Sequence, residues 1–200
     1  MEIIYIYDTY CGWCNIAKYN IKKLYDNTKN THKWTFLHLN LFNNNNIIEI
    51  TPQFLSMVKN VGTNIALEKT GKNFSAEYFN LLQKPNFIHQ SDVSALCCAT
   101  IEYINKDILC EYSLALQNYL FDKGCDITLD LATSLAHNFN ILEDDFKNAY
   151  KNNEVLNIKN ANIIKAKKYM VKLKSNGIPL LVLNNNNTLT KLDAYSIKNL

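Results

Sequence analysis

The chain carries two cysteines separated by two residues, Cys11-Gly12-Trp13-Cys14, a spacing that can do chemistry. A thiolate is a nucleophile toward sulfur. Two intervening residues on a helix place a second sulfur within one turn, where a disulfide forms and breaks without moving the backbone. The same motif can instead be half of a zinc site, which needs a second CxxC or a spaced histidine pair. Cys97 and Cys98 are adjacent, and His32, His38, His89 and His137 are scattered, so no metal is expected. Cys11, nearer the helix end and solvent, is expected to attack; Cys14, one turn deeper, is expected to resolve the mixed disulfide. Gly12 is expected to leave room for a substrate chain, and Trp13 to offer an apolar contact.

Other residues bear on this pair. Asp8 stands three residues before Cys11 and is a candidate proton relay for a reacting thiol; the commoner use of such an Asp is an Asx turn. Ile178 and Pro179, in the segment Gly177-Ile178-Pro179, open a late strand. There a proline is either site-shaping or merely a strand opener. Cys97, Cys98 and Cys110 read as small buried hydrophobes, whereas Cys125, in a Lys123-Gly124 turn, is expected to be more exposed. His38 alternates with Trp34 and Phe36 and reads as a core or rim residue.

The elements that must hold the pair follow from pattern. Residues 2–7 (EIIYIY) are β-branched and aromatic, a buried strand. Residues 12–28 turn helical, so CxxC falls at a strand-to-helix junction, where unsatisfied N–H groups favour an anion. Residues 33–42 return to strand, completing a βαβ unit. Helices are expected at 52–69 with a break near Gly62, and at 75–83, 92–104, 107–122, 129–138, 143–151 and 155–174. Thr51-Pro52 and Ser91 mark helix starts, and Asn176-Gly177 a helix end. Residues 178–183 and 188–192 read as a hairpin across Asn184–Asn187, and Asp193 as the cap of a short last helix over 194–200. The expected fold class is α/β, with a βαβ unit and a ββα end around a large helical insertion between the second and third strands. Residues 1–50 and 176–200 are expected to form one discontinuous domain, and residues 51–175 the insertion.

Composition narrows the functional classes. The net charge of +3 is too mild for an electrostatic nucleic-acid footprint, and no apolar run approaches the ~18–20 residues of a membrane span. All 21 basic residues are lysine, which removes bidentate arginine clamps. The apolar stretch Ile3–Tyr7 follows Glu2 and reads as a strand rather than a secretion signal. A cytoplasmic location with thiols largely reduced is expected.

On these residues the chain resembles the DsbA family of thioredoxin-fold proteins, most closely its cytosolic FrnE-like branch of predicted protein-disulfide isomerases. The resemblance runs through Tyr7-Asp8 to Cys14, Trp34 to Asn40, Thr70-Gly71-Lys72-Asn73-Phe74, Ser91 and its helix, Leu116 to Thr128, and Gly177 to Leu183. It implies thiol–disulfide exchange through Cys11 and Cys14, with a cis Ile178–Pro179 bond presenting backbone to the substrate. It also implies partners that are protein or peptide thiols and disulfides, a recycling reductant or oxidant, and no cofactor beyond glutathione as a co-substrate. Gly12-Trp13 departs from the Pro-His of the oxidising members and the Gly-Pro of thioredoxin, so it assigns no potential. The shorter C-terminal helix raises a partner or a dimer. Two alternatives stand beside this reading: a glutathione-dependent isomerase or transferase of the kappa type, and a non-catalytic peptide-binding chaperone.

Overall fold

The computed structural model describes residues 1–71 and 73–196. Strand β1 (Glu2–Tyr7) is buried from Ile3 onward. Helix α1 (Gly12–Thr28) returns the chain to β2 (Lys33–His38), which pairs parallel with β1 from Glu2 opposite Lys33 to Tyr7 opposite His38. Strand β3 (Leu180–Asn185) lies antiparallel on the other side of β1, and β4 (Thr188–Leu192) pairs antiparallel with β3. The order is therefore β2-β1-β3-β4. With neighbours on both sides and cover on both faces, β1 needs the continuous apolar run that it has. Asn186 and Asn187 turn the hairpin at φ 48° and 68°, a conformation that Asn tolerates.

Strand β2 stops at His38 rather than running to residue 42. Asn40 adopts φ 52°, and the Leu41 and Phe42 N–H groups leave the sheet for Asp8 Oδ2 and Ser91 Oγ.

The helical block comprises α2 (Pro52–Met57), α3 (Thr63–Thr70), α4 (Ala76–Leu82), α5 (Asp92–Asn105), α6 (Leu109–Gln117), α7 (Leu129–His137), α8 (Glu143–Tyr150) and α9 (Asn153–Lys172). Thr51, Ser75 and Thr128 cap α2, α4 and α7 through their hydroxyls. The break expected near Gly62 is a single wider turn over Val58–Gly62 that joins α2 to α3. Helix α6 starts later than expected, after a tight turn over Lys106–Ile108, and runs on through a wider turn to Asp122. Helix α9 ends before Asn176-Gly177. Lys174 takes the left-handed position at φ 49°, with its N–H on Val171 O and the Ser175 N–H on Met170 O, the paired bonds of a Schellman ending without glycine. Asp193 accepts from the Tyr195 N–H, while residues 197–200 of the expected last helix lie outside the described residues.

Helix α9 packs on α5 and β2, and one cluster of buried residues runs from Ile4, Tyr7 and Leu37 through Cys97, Tyr112 and Phe146. Sheet and helices thus share a core that holds the end of β1 in place. Among the described residues no helix is long and apolar enough to cross a membrane.

Candidate active site

Cys11 is the N-cap residue of α1. Its backbone is extended (φ −80°, ψ 113°) and its carbonyl accepts the Asn15 N–H at 3.0 Å, so its side chain stands beside the free N–H end of the helix. No acidic residue lies in the first turn of α1 to oppose an anion there. Cys14 follows one turn deeper and is completely buried. Burial, with Cys11 alongside, pushes the Cys14 thiol well above its ordinary range. Cys11 Sγ lies 3.9 Å from the Ile178 carbonyl oxygen, and the Ile178–Pro179 peptide bond is cis. The β1–α1 junction and the β3 entry therefore meet at the Cys11 sulfur.

Cys11 is only 4% exposed, so the open, solvent-facing thiol expected from sequence is not what the fold provides. Cys11 instead lines a cavity of about 320 Å³, with Gly12, Trp13 and Ile178 beside it. Its remaining wall comes from Leu41 and Phe42 after β2, from Phe54, Val58 and Phe74, and from His89. Trp13 is exposed at the rim. The space next to Gly12 is taken by the Phe74 ring, since a Cβ on Gly12 would stand 3.3 Å from Phe74 Cζ.

Asp8 anchors this loop from below. Its Oδ1 accepts the Tyr10 N–H at 2.8 Å, an Asx turn, and Oδ2 accepts from the Leu41 N–H at 2.7 Å and the Ser91 hydroxyl at 2.8 Å. Ser91 stands at the N-cap of α5, yet its hydroxyl makes no cap bond and serves Asp8 instead. His38, buried and held neutral by that burial, has Nδ1 3.1 Å from the Asn40 backbone N. Its Nε2 accepts the Thr9 N–H at 3.2 Å and lies 3.1 Å from Thr9 Oγ1, which donates to Ser94 Oγ, which donates to Ser91 O. Tyr10 donates to Asp126 and accepts the Ile127 N–H, tying the loop to the segment after α6.

The sequence matches no protein-family model and no curated protein. Among solved structures, a candidate protein disulfide isomerase from Nitrosomonas europaea superposes with a TM-score of 0.80. It is 17% identical, over 98% of this chain and 90% of that one. The cytosolic disulfide reductase DsbM from Pseudomonas aeruginosa follows at TM-score 0.79 and 18% identity, over 96% of this chain and 89% of that one. A second structure of DsbM, with GSH, matches at 0.77 and 16% identity, over 96% and 90%. The chain has the DsbA-like thioredoxin fold. A 2-hydroxychromene-2-carboxylate isomerase also shares it at TM-score 0.61 and 10% identity, over 95% and 88%. The DsbA-like fold therefore carries more than one chemistry, and the residues at the site must decide.

Within this DsbA-like fold, Cys11, Gly12, Trp13, Cys14, Ile178 and Asp8 come together at one end of the sheet, with Pro179 next in chain to Ile178. Cys97, Cys98 and Cys110 are buried away from the cavity lining, and Cys125 is half-buried with its Sγ on Lys123 O. Among the described residues no group of three His, Cys, Asp or Glu side chains is placed to hold a metal ion. His89, in sequence only one of four scattered histidines, also lines the cavity, as do Phe54 and Phe74. His89 is 2% exposed among the rings of Tyr10, Phe42, Phe54 and Phe87. Burial lowers its pKa to about 4. No local pattern marks these residues, because loops and short helices distant in sequence bring them to Cys11.

Proposed function

We propose that the chain is a thiol–disulfide oxidoreductase or isomerase acting on protein or small-molecule disulfides, with Cys11 as the attacking sulfur and Cys14 as the resolving one. The observation that carries the reading is Cys11 at the N-terminus of α1, lining a cavity, with the protonated Cys14 one turn beneath it. The Cys11 thiolate attacks RS–SR′, forming Cys11–S–S–R and releasing R′S⁻, which takes up a proton. Cys14 then gives up its proton and attacks the Cys11 sulfur, expelling RS⁻. The products are a Cys11–Cys14 disulfide and two thiols; the reverse sequence oxidises a substrate dithiol. Ile178 and Pro179 supply the wall and backbone against which the substrate sulfur is presented. A cytoplasmic setting belongs to the same reading, since the Pseudomonas protein of the same fold is described as cytosolic.

The test is trapping. Cys14→Ser is expected to accumulate a mixed disulfide at Cys11 with an added peptide disulfide, and Cys11→Ser to lose disulfide exchange. Undiminished exchange by Cys11→Ser overturns the reading.

A further inference from the structure

We propose that the chain holds a second ligand site, at the opposite end of the sheet from Cys11, that binds a small aromatic phosphate of the mononucleotide type. A cavity of about 440 Å³ lies there, a size usual for small-molecule sites. Its wall includes Trp34 and Thr35 of β2, which pair with Ile3 and Ile4 near the start of β1, whereas the CxxC motif follows the end of β1. The cavity shares no lining residue with the one beside Cys11.

Four lysines from four elements converge on this space: Lys29 at the end of α1, Lys33 at the start of β2, Lys106 at the end of α5 and Lys165 within α9. Lys29 and Lys33 have carboxylates at hand, Asp26 at 4.0 Å and Glu2 at 3.5 Å. Lys106 and Lys165 form no ion pair among the described residues. Glu102 and Asp107 also line the cavity, but Glu102 Oε2 is taken by Asn162 Nδ2 at 2.6 Å. Two ammonium groups are thus left to meet an anion that enters. The chain has no arginine, so a phosphate here would be held by lysines as point charges.

The aromatic part of the argument is Trp34. Its ring is half-buried, stacked on Phe36 at 5.4 Å and met edge-on by Tyr25 at 5.4 Å. The indole N–H donates to Thr28 Oγ1 at 3.1 Å, which fixes the ring before any ligand arrives. A planar base has a face to lay on such a ring. Inorganic phosphate would use the lysines alone, and a neutral aromatic the rings alone; a mononucleotide uses both.

The experiment titrates the full chain calorimetrically with AMP, adenosine and inorganic phosphate. AMP is expected to bind on the order of tenfold more tightly than either fragment, and to weaken as salt screens the lysines. Lys106→Gln combined with Lys165→Gln, both exposed positions, is expected to weaken AMP about fivefold to tenfold. Arginine at both positions keeps the charge and is expected to keep the binding. In a Trp13→Phe background, AMP is expected to quench the fluorescence of Trp34, which locates the ligand. No saturable AMP binding, AMP no tighter than phosphate, or an affinity unchanged in the double Gln variant overturns the site. Tighter binding of a single-stranded oligoadenylate than of AMP also overturns it, since the surface would then be one for nucleic acid. None of these outcomes bears on disulfide exchange at Cys11.

Discussion

The ring of Phe74 sits against Gly12, the first residue of the motif after Cys11, at a distance that would press a methyl group closer than ordinary contact. A Cβ on Gly12 would approach Phe74 Cζ to 3.3 Å, and one on Gly62 would approach Phe74 Cε2 to 3.2 Å, so the ring is confined by two glycines. The insertion thus reaches the CxxC motif through the ring of Phe74. Gly12→Ala gains helix propensity of at most about 1 kcal/mol, whereas overpacking costs about 1–3 kcal/mol. The expected net result is a loss on the order of 1 kcal/mol in urea unfolding, recovered when Phe74→Leu is added. A double variant no more stable than Gly12→Ala would place the strain elsewhere.

Asp8 is a buried carboxylate whose hydrogen bonds hold backbone and a serine. Asp8→Ala leaves the Tyr10 and Leu41 N–H groups without their acceptor, while the Ser91 hydroxyl keeps Asn40 Oδ1 at 3.2 Å. At about 1–3 kcal/mol for an unsatisfied buried group, the loss is expected to exceed about 2 kcal/mol. Asp8→Asn keeps one acceptor oxygen but turns an NH₂ toward a donor, so it should fall between Ala and wild type. The folded Asp8→Asn protein is expected to keep its exchange rate. A drop on the order of 10²–10⁴ would instead be the mark of proton transfer through Asp8.

Two glycines with positive φ should respond differently to alanine. Gly71 (φ 67°) ends α3 with open space around it, so Gly71→Ala costs only the left-handed backbone, about 1–2 kcal/mol. Gly124 (φ 59°) has the Glu77 carbonyl oxygen 2.1 Å from where a Cβ would stand. A backbone atom cannot swing aside as a side chain does, so Gly124→Ala is expected to cost more than about 4 kcal/mol, a rare magnitude for one substitution. Comparable thermal unfolding of the two variants would contradict the packing of α4 on the turn after α6.

What the sequence made legible was local. The apolar run of β1, the Thr51 cap, the paired asparagines of the hairpin and the CxxC junction each declare themselves within a few residues. The ending of α9 did not, because the Schellman bonds were closed by Lys174 where a glycine was the expected signal. Nor did the true end of β2, since the partners that draw Leu41 and Phe42 out of the sheet, Asp8 and Ser91, are remote in sequence. The same reason hid the cavity. Cys11 reads in sequence as a solvent-facing thiol, whereas Phe54, Phe74 and His89, all remote in the chain, line the cavity with it.

His89 gives the last prediction a pH axis. Its folded pKa of about 4 lies below the ordinary 6.5, chiefly because burial disfavours the charged ring. Above pH 6.5 the ring is neutral folded or unfolded and contributes nothing to pH dependence. As pH falls from 6.5 toward 4, the unfolded chain takes up a proton that the folded one refuses, so stability is lost across that window. At about 1.4 kcal/mol per pH unit of difference, the loss reaches on the order of 3 kcal/mol. His89→Phe places a similar ring among Phe42, Phe54 and Phe87, where an apolar edge suits the neighbours. The variant should therefore match wild type near pH 7 and exceed it near pH 4.5, in urea midpoints measured side by side. His38 is lowered by burial in the same direction but is present in both proteins, as are the carboxylates, so these cancel in the comparison. Parallel curves for the two proteins from pH 7 to 4.5 would mean that the His89 ring protonates without cost in the folded state, and so that it is not sealed among those rings.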